Sequence, residues 1–292
     1  MTLGRRTLGV ACNPYAMNVP AQLIETAARL DVPVRLIDLP TLTVDIHSDG
    51  QAAAADSRGA IDIDSLAPYL LYGYPAAVHA FRVLLRQAYT QNPVDGVTIA
   101  DDKASTAERL SAASVAQVPT KICSLDLQQA LSRAADIGYP VILKRTHGAQ
   151  GRWVRRAHNP SRLPQAFHEL ESEGRGALIL QPEVGECPGR SIRAVITGGQ
   201  LLAAAERTAA GNEWRSNIAG GAQQRPINLA PEEKALAEDA ARALGLRHAG
   251  VDLLRTLQGP LVLEVNSCPD FTSMLPYFDK DLTLAVLSAS LR

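Results

Sequence analysis

The sequence predicts an α/β protein of two or three packed lobes, with α+β character in the C-terminal lobes, and three observations support this prediction. The chain has 292 residues, of which 46% are hydrophobic, so it can bury more than one core. Near the N-terminus, strand-like, amphipathic helical and strand-like runs follow one another, which is typical of a parallel α/β unit. In the C-terminal third, strand-rich segments lie on both sides of a clearly bounded helix.

The first predicted lobe spans residues 1–96 and includes the apolar run at 66–75. The expected elements are a strand at 7–12, a helix at 19–30, a strand at 32–39, a loop or short hairpin at 48–64 and a helix at 77–91. The segment at 19–30 has apolar residues at helical spacing, whereas the stretch at 48–64 is rich in small and polar residues. The alternation of strand and helix favours a parallel sheet in this lobe.

The second predicted lobe spans residues 97–183. Its expected elements are a helix at 101–120, a helix at 127–138, a strand, turn and strand at 139–157, a helix from Asn159 to Glu173 and a buried strand at 176–184. The first helix should end before Pro119, because the residue preceding a proline avoids the helical region. Ser124 or Asp126 is placed to cap the second helix, and Gly138 is placed to end it.

The third predicted lobe completes the chain. The expected elements within residues 184–292 are strands at 191–209, a helix at 230–245 and a hairpin that pairs 251–254 with 261–266. The helix begins with a proline and acidic residues and ends at Gly245, which is how helices are commonly bounded. Its inner face is predicted to consist of Leu236, Ala240, Ala243 and Leu244.

Composition and charge exclude several classes of function. The 29 basic and 30 acidic residues leave a net charge of −1, so there is no general nucleic-acid footprint. No apolar run approaches the ~18–20 residues of a membrane span, and the N-terminus does not resemble a signal peptide. The four cysteines form no CxxC pair, which argues against structural zinc and a disulfide framework. We therefore expect a cytoplasmic protein that binds neither nucleic acid nor a membrane.

Two carboxylates and an amide interrupt the hydrophobic runs of the predicted C-terminal hairpin. Asp252 lies in the first strand, and Glu264 and Asn266 lie two residues apart in the second. Since side chains alternate between faces along a strand, Glu264 and Asn266 share a face, and Asp252 can point the same way. Buried carboxylates are costly unless they are paired or bound to metal, and oxygen ligands suit Mg²⁺ or Mn²⁺. The alternative is that the carboxylates face solvent at the rim of the sheet, paired with Arg255 or another base.

Two lysines and a glycine-bearing loop are candidates for phosphate binding. Lys144 ends a buried apolar run, and Lys103 stands at the start of a helix. A lysine that emerges from a strand is a good point-charge partner for phosphate. The loop after Lys144, with Gly148 and Gly151, could close over phosphates through its backbone N–H groups. A hairpin of this kind is more often only a turn, so the loop is a weak signal by itself.

Three arginines and one asparagine form a further candidate set. Arg193 and Arg207 lie within strand-like runs, where a charged side chain needs a partner, and Arg215 and Asn217 lie in the run EWRSN. Guanidinium groups bind carboxylate and phosphate through two parallel hydrogen bonds. For any single one of these arginines, a surface salt bridge is the simpler interpretation.

The order of these motifs resembles that of ATP-grasp ligases, and most closely the RimK-like branch, which adds glutamate to an acceptor carboxylate. The resemblance runs from about residue 97 to the end and rests on Lys103, Lys144, the glycine loop, LQPEV, SIRAV, ERTA, EWRSN, AGVD and LEVN. It implies a three-lobed ATP-grasp fold in which the nucleotide lies between two sheet-containing lobes. The first ninety residues match only in their general α/β character.

The resemblance also implies a role for each candidate residue. Those that would contact ATP are Lys103, Lys144, Gly148 and Gly151 at the phosphates, Gln181, Pro182, Glu183 and Val184 along the adenine, and Ser191 at the ribose. Those that would hold two Mg²⁺ ions are Asp252, Glu264 and Asn266. Arg193 would face the phosphoryl group, whereas Arg207, Arg215 and Asn217 would face the acceptor or the amino acid. The implied reaction is an ADP-forming amide ligation through an acyl phosphate.

The sequence departs from the RimK-like pattern at three places. Ser191 stands where an aspartate is frequent, the run after RSN lacks the usual arginine before its glycines, and Asp270 stands where a glycine is usual. We therefore expect an acceptor other than a ribosomal-protein tail: a pterin-type or deazaflavin coenzyme, another metabolite or a different protein C-terminus. The resemblance implies glutamate as the amino acid and a homo-oligomer, although no segment marks an interface.

Two other functions remain as alternatives to ligation. A non-catalytic nucleotide-binding regulator would have no need to keep both metal-binding carboxylates and both lysines. A carboxylase half, in which another nucleophile attacks the acyl phosphate, would be accompanied by a biotin-carrier segment, and these 292 residues contain none.

Overall fold

The structure, a computed structural model, describes residues 6–12, 18–71, 73–148, 151–172, 176–184, 188–211, 213–279 and 281–291. Its strands are β1 (Leu8–Cys12), β2 (Val34–Asp38), β3 (Thr43–Ile46), β4 (Ala52–Asp56), β5 (Gly59–Ala60), β6 (Ser65–Leu66), β7 (Tyr89–Thr90), β8 (Lys121–Ser124), β9 (Val141–Arg145), β10 (Val154–Ala157), β11 (Ala177–Pro182), β12 (Arg190–Thr197), β13 (Gln200–Thr208), β14 (Gln223–Pro226), β15 (Ala249–Thr256) and β16 (Gly259–Asn266). Its α-helices are α1 (Asn18–Arg29), α2 (Pro75–Leu84), α3 (Val94–Ala100), α4 (Lys103–Ala112), α5 (Leu127–Ile137), α6 (Leu163–Glu171), α7 (Pro231–Ala243) and α8 (Leu282–Ser290). No helix in the described ranges is long and apolar enough to span a bilayer.

Within these ranges the strands form four sheets, which confirm the mixed α/β class. The first part of the chain contains a parallel sheet of order β2-β1-β6-β7 and a small sheet of order β3-β4-β5. The middle of the chain contains an antiparallel sheet of order β10-β9-β11-β8, which we call the central sheet. The last part contains an antiparallel sheet of order β14-β13-β12-β15-β16, which we call the C-terminal sheet.

The first lobe differs from the prediction in two places. The prediction of a helix at 77–91 is wrong at its C-terminal end. Helix α2 ends at Leu84, and Tyr89 and Thr90 form β7, which pairs with β6. The stretch at 48–64 forms the expected hairpin, β4 and β5, but β3 adds a third strand that the sequence pattern does not predict. In both places pairing with a neighbouring strand decides the backbone conformation, and local sequence does not show that partner.

The helix expected at 101–120 is also shorter than predicted. α4 covers only Lys103–Ala112, and Ser114 then adopts a φ of +56°, which lies outside the helical region. The chain beyond Ser114 runs along β16, where the N–H of Val118 donates to the carbonyl of Val262 at 3.0 Å. A contact with a distant strand therefore replaces the last two helical turns.

The middle helices begin and end where the sequence indicates. The Asp126 carboxylate accepts a hydrogen bond from the N–H of Gln129 at 2.8 Å, and Gly138 follows α5 with a φ of +89°. Asn159 opens the next helical segment as expected, through a 3-10 turn that leads into α6. The predicted end of that segment, Glu173, lies outside the described residues.

The helix predicted at 230–245 forms as α7, but its buried face is rotated. The buried residues of this face are Ala237, Ala240 and Ala241, with Leu244 just beyond the helix, whereas Leu236 and Ala243 are only partly buried. The side chain of Glu233 also points inward and binds Arg255 of β15 through two contacts of 2.5 and 2.9 Å. The buried face of α7 therefore includes the Glu233 carboxylate, which hydrophobicity alone does not predict.

Two of the three hydrophobic cores join parts of the chain that are distant in sequence. One contains Leu66 and Phe81 of the first part together with Val251 of the C-terminal sheet, and another joins Leu23 to Val286 of α8. The third lies within the central sheet and its helices. The predicted boundary between residues 96 and 97 falls inside α3. The division into three lobes at these residues remains a prediction.

Candidate functional site

A cleft between the central sheet and the C-terminal sheet collects most of the predicted site residues. Those that line it are Lys103, Lys144, Gly148, Gly151, Gln181, Pro182, Glu183, Val184, Ser191, Arg207, Arg215, Asn217, Asp252 and Glu264. Arg193 does not line the cleft itself but binds Asp252, which does, and Asn266 follows Glu264 by two residues on β16. Positions from residue 103 to residue 264 therefore converge on one site.

The antiparallel pairing of β15 and β16 brings the two candidate metal-binding carboxylates face to face. Asp252 is directly opposite Glu264, and Gly250 is directly opposite Asn266. Residues that oppose each other in an antiparallel pair project to the same face. Arg255 is engaged elsewhere, with Glu233, so the alternative of a rim carboxylate paired with Arg255 does not describe this hairpin.

Asp252 is held by a buried arginine. Arg193 donates from Nε to Oδ1 at 2.5 Å and from Nη2 to Oδ2 at 2.8 Å, and both residues are 8% exposed. Burial raises the pKa of Asp252, but Arg193, Arg207 and Lys144 outweigh burial and bring this pKa below its ordinary value. Asp252 is therefore ionised at neutral pH.

Arg207 is a buried cation that lacks an anion of its own. The residue is 6% exposed, and its closest carboxylate oxygen, Oδ1 of Asp252, lies 3.9 Å from Nη1. That carboxylate is already engaged by Arg193, and Nε of Arg207 has no partner among the described residues. Burial and the neighbouring Arg193 lower the pKa of Arg207 to about 10. A guanidinium in this position is suited to bind an anion in the cleft.

The two lysines lie beside the carboxylates. Lys103 Nζ is 3.2 Å from Oε1 of Glu264 and donates to the carbonyl of Gly148 at 2.7 Å. Burial lowers the pKa of Lys144 to about 8, although Glu264 and Asp252 act in the opposite direction. The lining contains seven lysines and arginines and three acidic residues, so the cleft carries more positive than negative charge, which suits a polyphosphate.

The ends of the glycine loop are tightly packed; Ala149 and Gln150 lie outside the described residues. Gly148 has a φ of +129°, and a Cβ there would lie 2.3 Å from Cδ1 of Trp153. Gly151 has a φ of +70°, and a Cβ there would lie 3.0 Å from Oδ1 of Asn217. The positive φ favours glycine at both positions, and at Gly148 a larger residue would also collide with Trp153.

Arg215 is anchored rather than extended freely into the cleft. Glu213 binds it through Nε (3.1 Å) and Nη2 (3.0 Å), while Nη1 donates to the carbonyl of Gly151 at 2.9 Å. The side-chain hydrogen bonds with Arg215 lower the pKa of Glu213 to about 2. Two of the five N–H groups of the guanidinium remain for a ligand. Close by, the hydroxyls of Ser191 and Ser216 are 2.6 Å apart.

Four functional features of the cleft escape sequence reasoning. They are Trp153 and Trp214 in the lining, Arg156 paired with Glu183 at 2.6 Å, and Glu213 behind Arg215. The chain has only two tryptophans, and both line this cleft, so residue rarity was the signal that could have found them. The partner of Arg156 depends on strand register and has no local signal.

Asn92, outside the cleft, holds the hairpin that carries the carboxylates. Its amide donates to the carbonyls of His248 and Ser267 at 2.7 and 2.8 Å and accepts from the N–H groups of Arg247 and His248 at 3.1 and 2.9 Å. Asn92 is fully buried, and these four bonds use every hydrogen-bonding position of its amide. One side chain thus joins the residues just before β15 to the residue just after β16.

The oxygen donors of the hairpin fit a hard divalent cation. No cluster of three or more His, Cys, Asp or Glu side chains suited to a metal occurs in the part of the chain that the structure describes. A cation here would therefore be held by Asp252, Glu264 and Asn266 together with ligands from a substrate, which is typical of Mg²⁺ on phosphates. A carboxylate has about four acceptor positions, and Arg193 uses two of those of Asp252.

Comparison with known sequences identifies the family. The RimK-like ATP-grasp domain matches residues 100–289, which is more than half of the chain. A protein of Aliivibrio salmonicida named probable alpha-L-glutamate ligase is 30% identical over 285 residues, covering 94% of this chain and 92% of the relative. A protein of Parasynechococcus marenigrum with the same name is 41% identical over 145 residues, which are 50% of this chain and about a third (31%) of that relative.

Comparison with solved structures supports the fold. A RimK domain ATP-grasp protein of Sphaerobacter thermophilus superposes with a TM-score of 0.70 over 98% of each chain, at 18% identity. That likeness alone shows a common fold. Together with the match over residues 100–289, it leads to one conclusion. The chain belongs to the RimK-like ATP-grasp family of ligases.

Proposed function

We propose that this protein is an ADP-forming carboxylate–amine ligase that uses ATP to join L-glutamate to an acceptor carboxylate. Family membership and relatives named probable alpha-L-glutamate ligase support ATP and glutamate as substrates. The observation that carries the proposal is Arg207, a buried guanidinium without its own anion, which faces the same cleft as Lys103 and Lys144. One cleft thus offers separate cations for a triphosphate and for a carboxylate.

The chemistry has two steps. The acceptor carboxylate attacks the γ-phosphorus of ATP, the bond to the β-phosphate oxygen breaks, and ADP leaves with an acyl phosphate formed. The amine of glutamate then attacks the acyl carbon, inorganic phosphate leaves with the bonding electrons, and the new amide loses one proton. Such phosphoryl transfer depends mainly on positioning and on charge neutralisation.

The side chains of the cleft supply both of these requirements. We assign Lys103 and Lys144 to the phosphates, Gln181–Val184 to the base and Ser191 to the ribose. Arg193 would keep Asp252 in place, because its guanidinium donates two hydrogen bonds to that carboxylate. Asp252, Glu264 and Asn266 would hold two Mg²⁺ ions, or Mn²⁺ in their place, and these ions would neutralise charge on the phosphates.

The remaining groups are assigned to the substrates that react. Arg207 would bind the acceptor carboxylate or the α-carboxylate of glutamate, because a buried guanidinium favours a bidentate anion. Arg215 and Asn217 would contact the same substrates from the opposite wall. The glycine loop, held at Gly148 by Lys103 and at Gly151 by Arg215, would exclude water that could hydrolyse the acyl phosphate.

The acceptor is proposed to be a small coenzyme, such as a pterin-type molecule, or a protein C-terminus. The residues that depart from the RimK-like pattern, Ser191 and Asp270, support an acceptor other than a ribosomal-protein tail. We further propose a cytoplasmic location, since Cys12, Cys123 and Cys268 are free thiols. A homo-oligomer is proposed from the family, and the mass of the protein in solution tests it.

Release of ADP from ATP and Mg²⁺ tests the function directly. Each of the twenty amino acids is supplied with and without a cell extract as the source of acceptor. We expect release that needs both glutamate and extract, with a product heavier by glutamyl units. Measurable ATP binding with no release under any combination would favour a non-catalytic nucleotide-binding regulator.

A further inference from the structure

The part of the hairpin that carries the candidate metal ligands is short. It consists of three opposed residue pairs, namely Gly250 with Asn266, Val251 with Val265 and Asp252 with Glu264. A β-bulge then interrupts the register, because Leu253 is opposite Val262 and Leu263 is the extra residue. Leu263 and Glu264 both line the cleft, although consecutive residues of a regular strand point to opposite faces. Regular pairing along the rest of the hairpin therefore does not fix the carboxylates.

The outer side of these three pairs has little support from the rest of the sheet. Strand β16 is the last in the order of the C-terminal sheet. The N–H of Val118 donates to the carbonyl of Val262, and the N–H of Val262 donates to the carbonyl of Ala116, both at 3.0 Å. These bonds lie on the other side of the bulge from Glu264. Within the described ranges, no strand pairs with the outer edge of residues 264–266.

Asn92, which follows β7, spans the two chain segments at the open end of the hairpin. Its Nδ2 donates to the carbonyls of His248 and Ser267, and its Oδ1 accepts from the N–H groups of Arg247 and His248. The side chains of the hairpin ends do not substitute for it, because Nε2 of His248 and Oγ of Ser267 have no hydrogen-bond partner among the described residues. Since Ser267 directly follows Asn266, Asn92 sets the position of the metal-binding end of β16 relative to β15.

Asn92 is itself held by parts of the chain outside the hairpin. The hydroxyl of Tyr69 donates to the backbone carbonyl of Asn92 at 2.8 Å, and Tyr69 is almost completely buried. The neighbouring Gln91 accepts from the N–H of Gly198 at 2.9 Å and donates to the hydroxyl of Ser290 on α8 at 3.1 Å. The amide of Asn92 is therefore a fixed point to which the hairpin is attached.

We propose that Asn92 is a positioning residue for the divalent cation, which holds the ends of the hairpin so that Glu264 and Asn266 stay at the correct distance from Asp252. Mg²⁺ requires near-ideal octahedral geometry with oxygens at about 2.0–2.1 Å, so a small shift of one strand lowers cation affinity. Residues that orient metal ligands from outside the coordination sphere typically affect metal affinity by about 10–100-fold. This inference rests on the proposed function, because it takes these three residues to be the metal ligands.

Binding of ADP with and without a divalent cation measures this role without turnover. Trp153 and Trp214, the only tryptophans of the chain, line the cleft, so their fluorescence reports nucleotide binding. Each protein is titrated with ADP in EDTA and again with Mn²⁺. The ratio of the two dissociation constants is the factor by which the cation and the nucleotide strengthen each other. Electron paramagnetic resonance of Mn²⁺ gives the amount of bound cation independently.

Gln91→Ala is the matched control for Asn92→Ala. Gln91 is 1% exposed and Asn92 is 0% exposed. The side chain of Gln91 also makes buried hydrogen bonds, but these go to Gly198, Val286 and Ser290 and not to the hairpin. Both variants should therefore lower the denaturation midpoint. Asn92→Ser keeps a polar group that is too short to make all four bonds, and it serves if Asn92→Ala does not fold.

We expect the factor that couples Mn²⁺ to ADP to fall at least about tenfold in Asn92→Ala, which corresponds to ~1.4 kcal/mol. In Gln91→Ala it should change by less than about twofold, because the ends of the hairpin keep their four bonds to Asn92. The affinity for ADP in EDTA should stay unchanged in both variants, since neither side chain lines the cleft. The amount of bound Mn²⁺ should fall in the Asn92 variant alone.

Two results would overturn the inference. One is an unchanged coupling factor in a folded Asn92 variant, and the other is an equal fall in Gln91→Ala, which would show general loosening of the protein. A wild type whose affinity for ADP does not respond to Mn²⁺ would overturn the metal assignment of the proposed function as well. A wild type that shows the coupling but releases no ADP with glutamate and extract would contradict only the proposed function.

Discussion

Lys103, at the start of α4, and Glu264, on β16, form an ion pair of 3.2 Å that joins the two sides of the cleft. The same ammonium donates to the carbonyl of Gly148, so one side chain contacts both the glycine loop and a candidate metal-binding carboxylate. A ligand with phosphate groups and a divalent cation would replace these contacts with stronger ones.

Glu264→Gln should abolish turnover and leave the fold intact. The variant removes a negative oxygen donor that is 30% exposed, and no buried cation depends on it alone. Turnover should fall below about a tenth of wild type, which is more than ~1.4 kcal/mol of barrier. ADP release and the denaturation midpoint check this, and a variant above a tenth of normal activity would reject the metal assignment.

Asp252→Asn should abolish turnover and also destabilise the protein. Asp252 is the bidentate partner of the buried Arg193, so its neutralisation leaves a buried guanidinium without its anion. We expect the free energy of unfolding to fall by about 3 kcal/mol. Denaturant unfolding measures this loss, and the contrast with Glu264→Gln separates stability from catalysis.

Lys144→Ala should weaken ATP binding by about tenfold or more, because a cation beside the phosphates is lost. Lys121→Ala is the control, since Lys121 contacts Asp136 at 3.0 Å on the surface and does not line the cleft. Titration by tryptophan fluorescence measures both. An unchanged affinity in Lys144→Ala would count against its assignment to phosphate.

Arg215→Ala should raise the KM for glutamate or the acceptor more than the KM for ATP. Glu213→Gln should act in the same direction but less strongly, because Arg215 keeps its bond to the carbonyl of Gly151. Steady-state kinetics with each substrate varied in turn gives the two ratios. A larger effect on ATP would assign Arg215 to the nucleotide.

Asp56 should make the free energy of unfolding depend on pH in the acidic range. Burial raises its pKa, but hydrogen bonds from Arg35 and from the N–H groups of Asp38 and Arg58 outweigh burial and lower it to about 2, from 3.8. A carboxyl with a depressed pKa in the folded state stabilises the protein above its unfolded pKa, and this contribution disappears as the pH falls. Its contribution is about 2 kcal/mol.

Unfolding of wild type and Asp56→Asn between pH 6 and pH 2 checks this expectation, with the range chosen around these pKa values. The difference in free energy of unfolding should be largest above about pH 5 and should shrink between about pH 4 and pH 2. A difference that is constant across this range would show that Asp56 acts through packing and not through its charge.

Much of the fold and the site could be predicted from local sequence. Helix α5, its cap at Asp126 and its end at Gly138 follow from spacing and capping, which act over a few residues. The carboxylates of the last hairpin can be predicted as site residues because acidic residues are rare within apolar strands, where their burial is costly. At 77–91 and beyond Ser114 the sequence has a helical pattern, but the helix ends early. In both places contacts with strands that are distant in sequence determine the backbone conformation.

The sequence by itself determined which chemical groups are present, their order and the alternation of apolar and polar positions, because these depend on residue identity and short-range spacing. Only the tertiary structure decided which charged side chains form pairs. Arg193 and Asp252 are 59 positions apart, and the pairing of β12 with β15 makes them partners. The same kind of long-range register leaves Arg207 without an anion and sets Arg156 against Glu183, because strand order brings together residues that no local pattern connects.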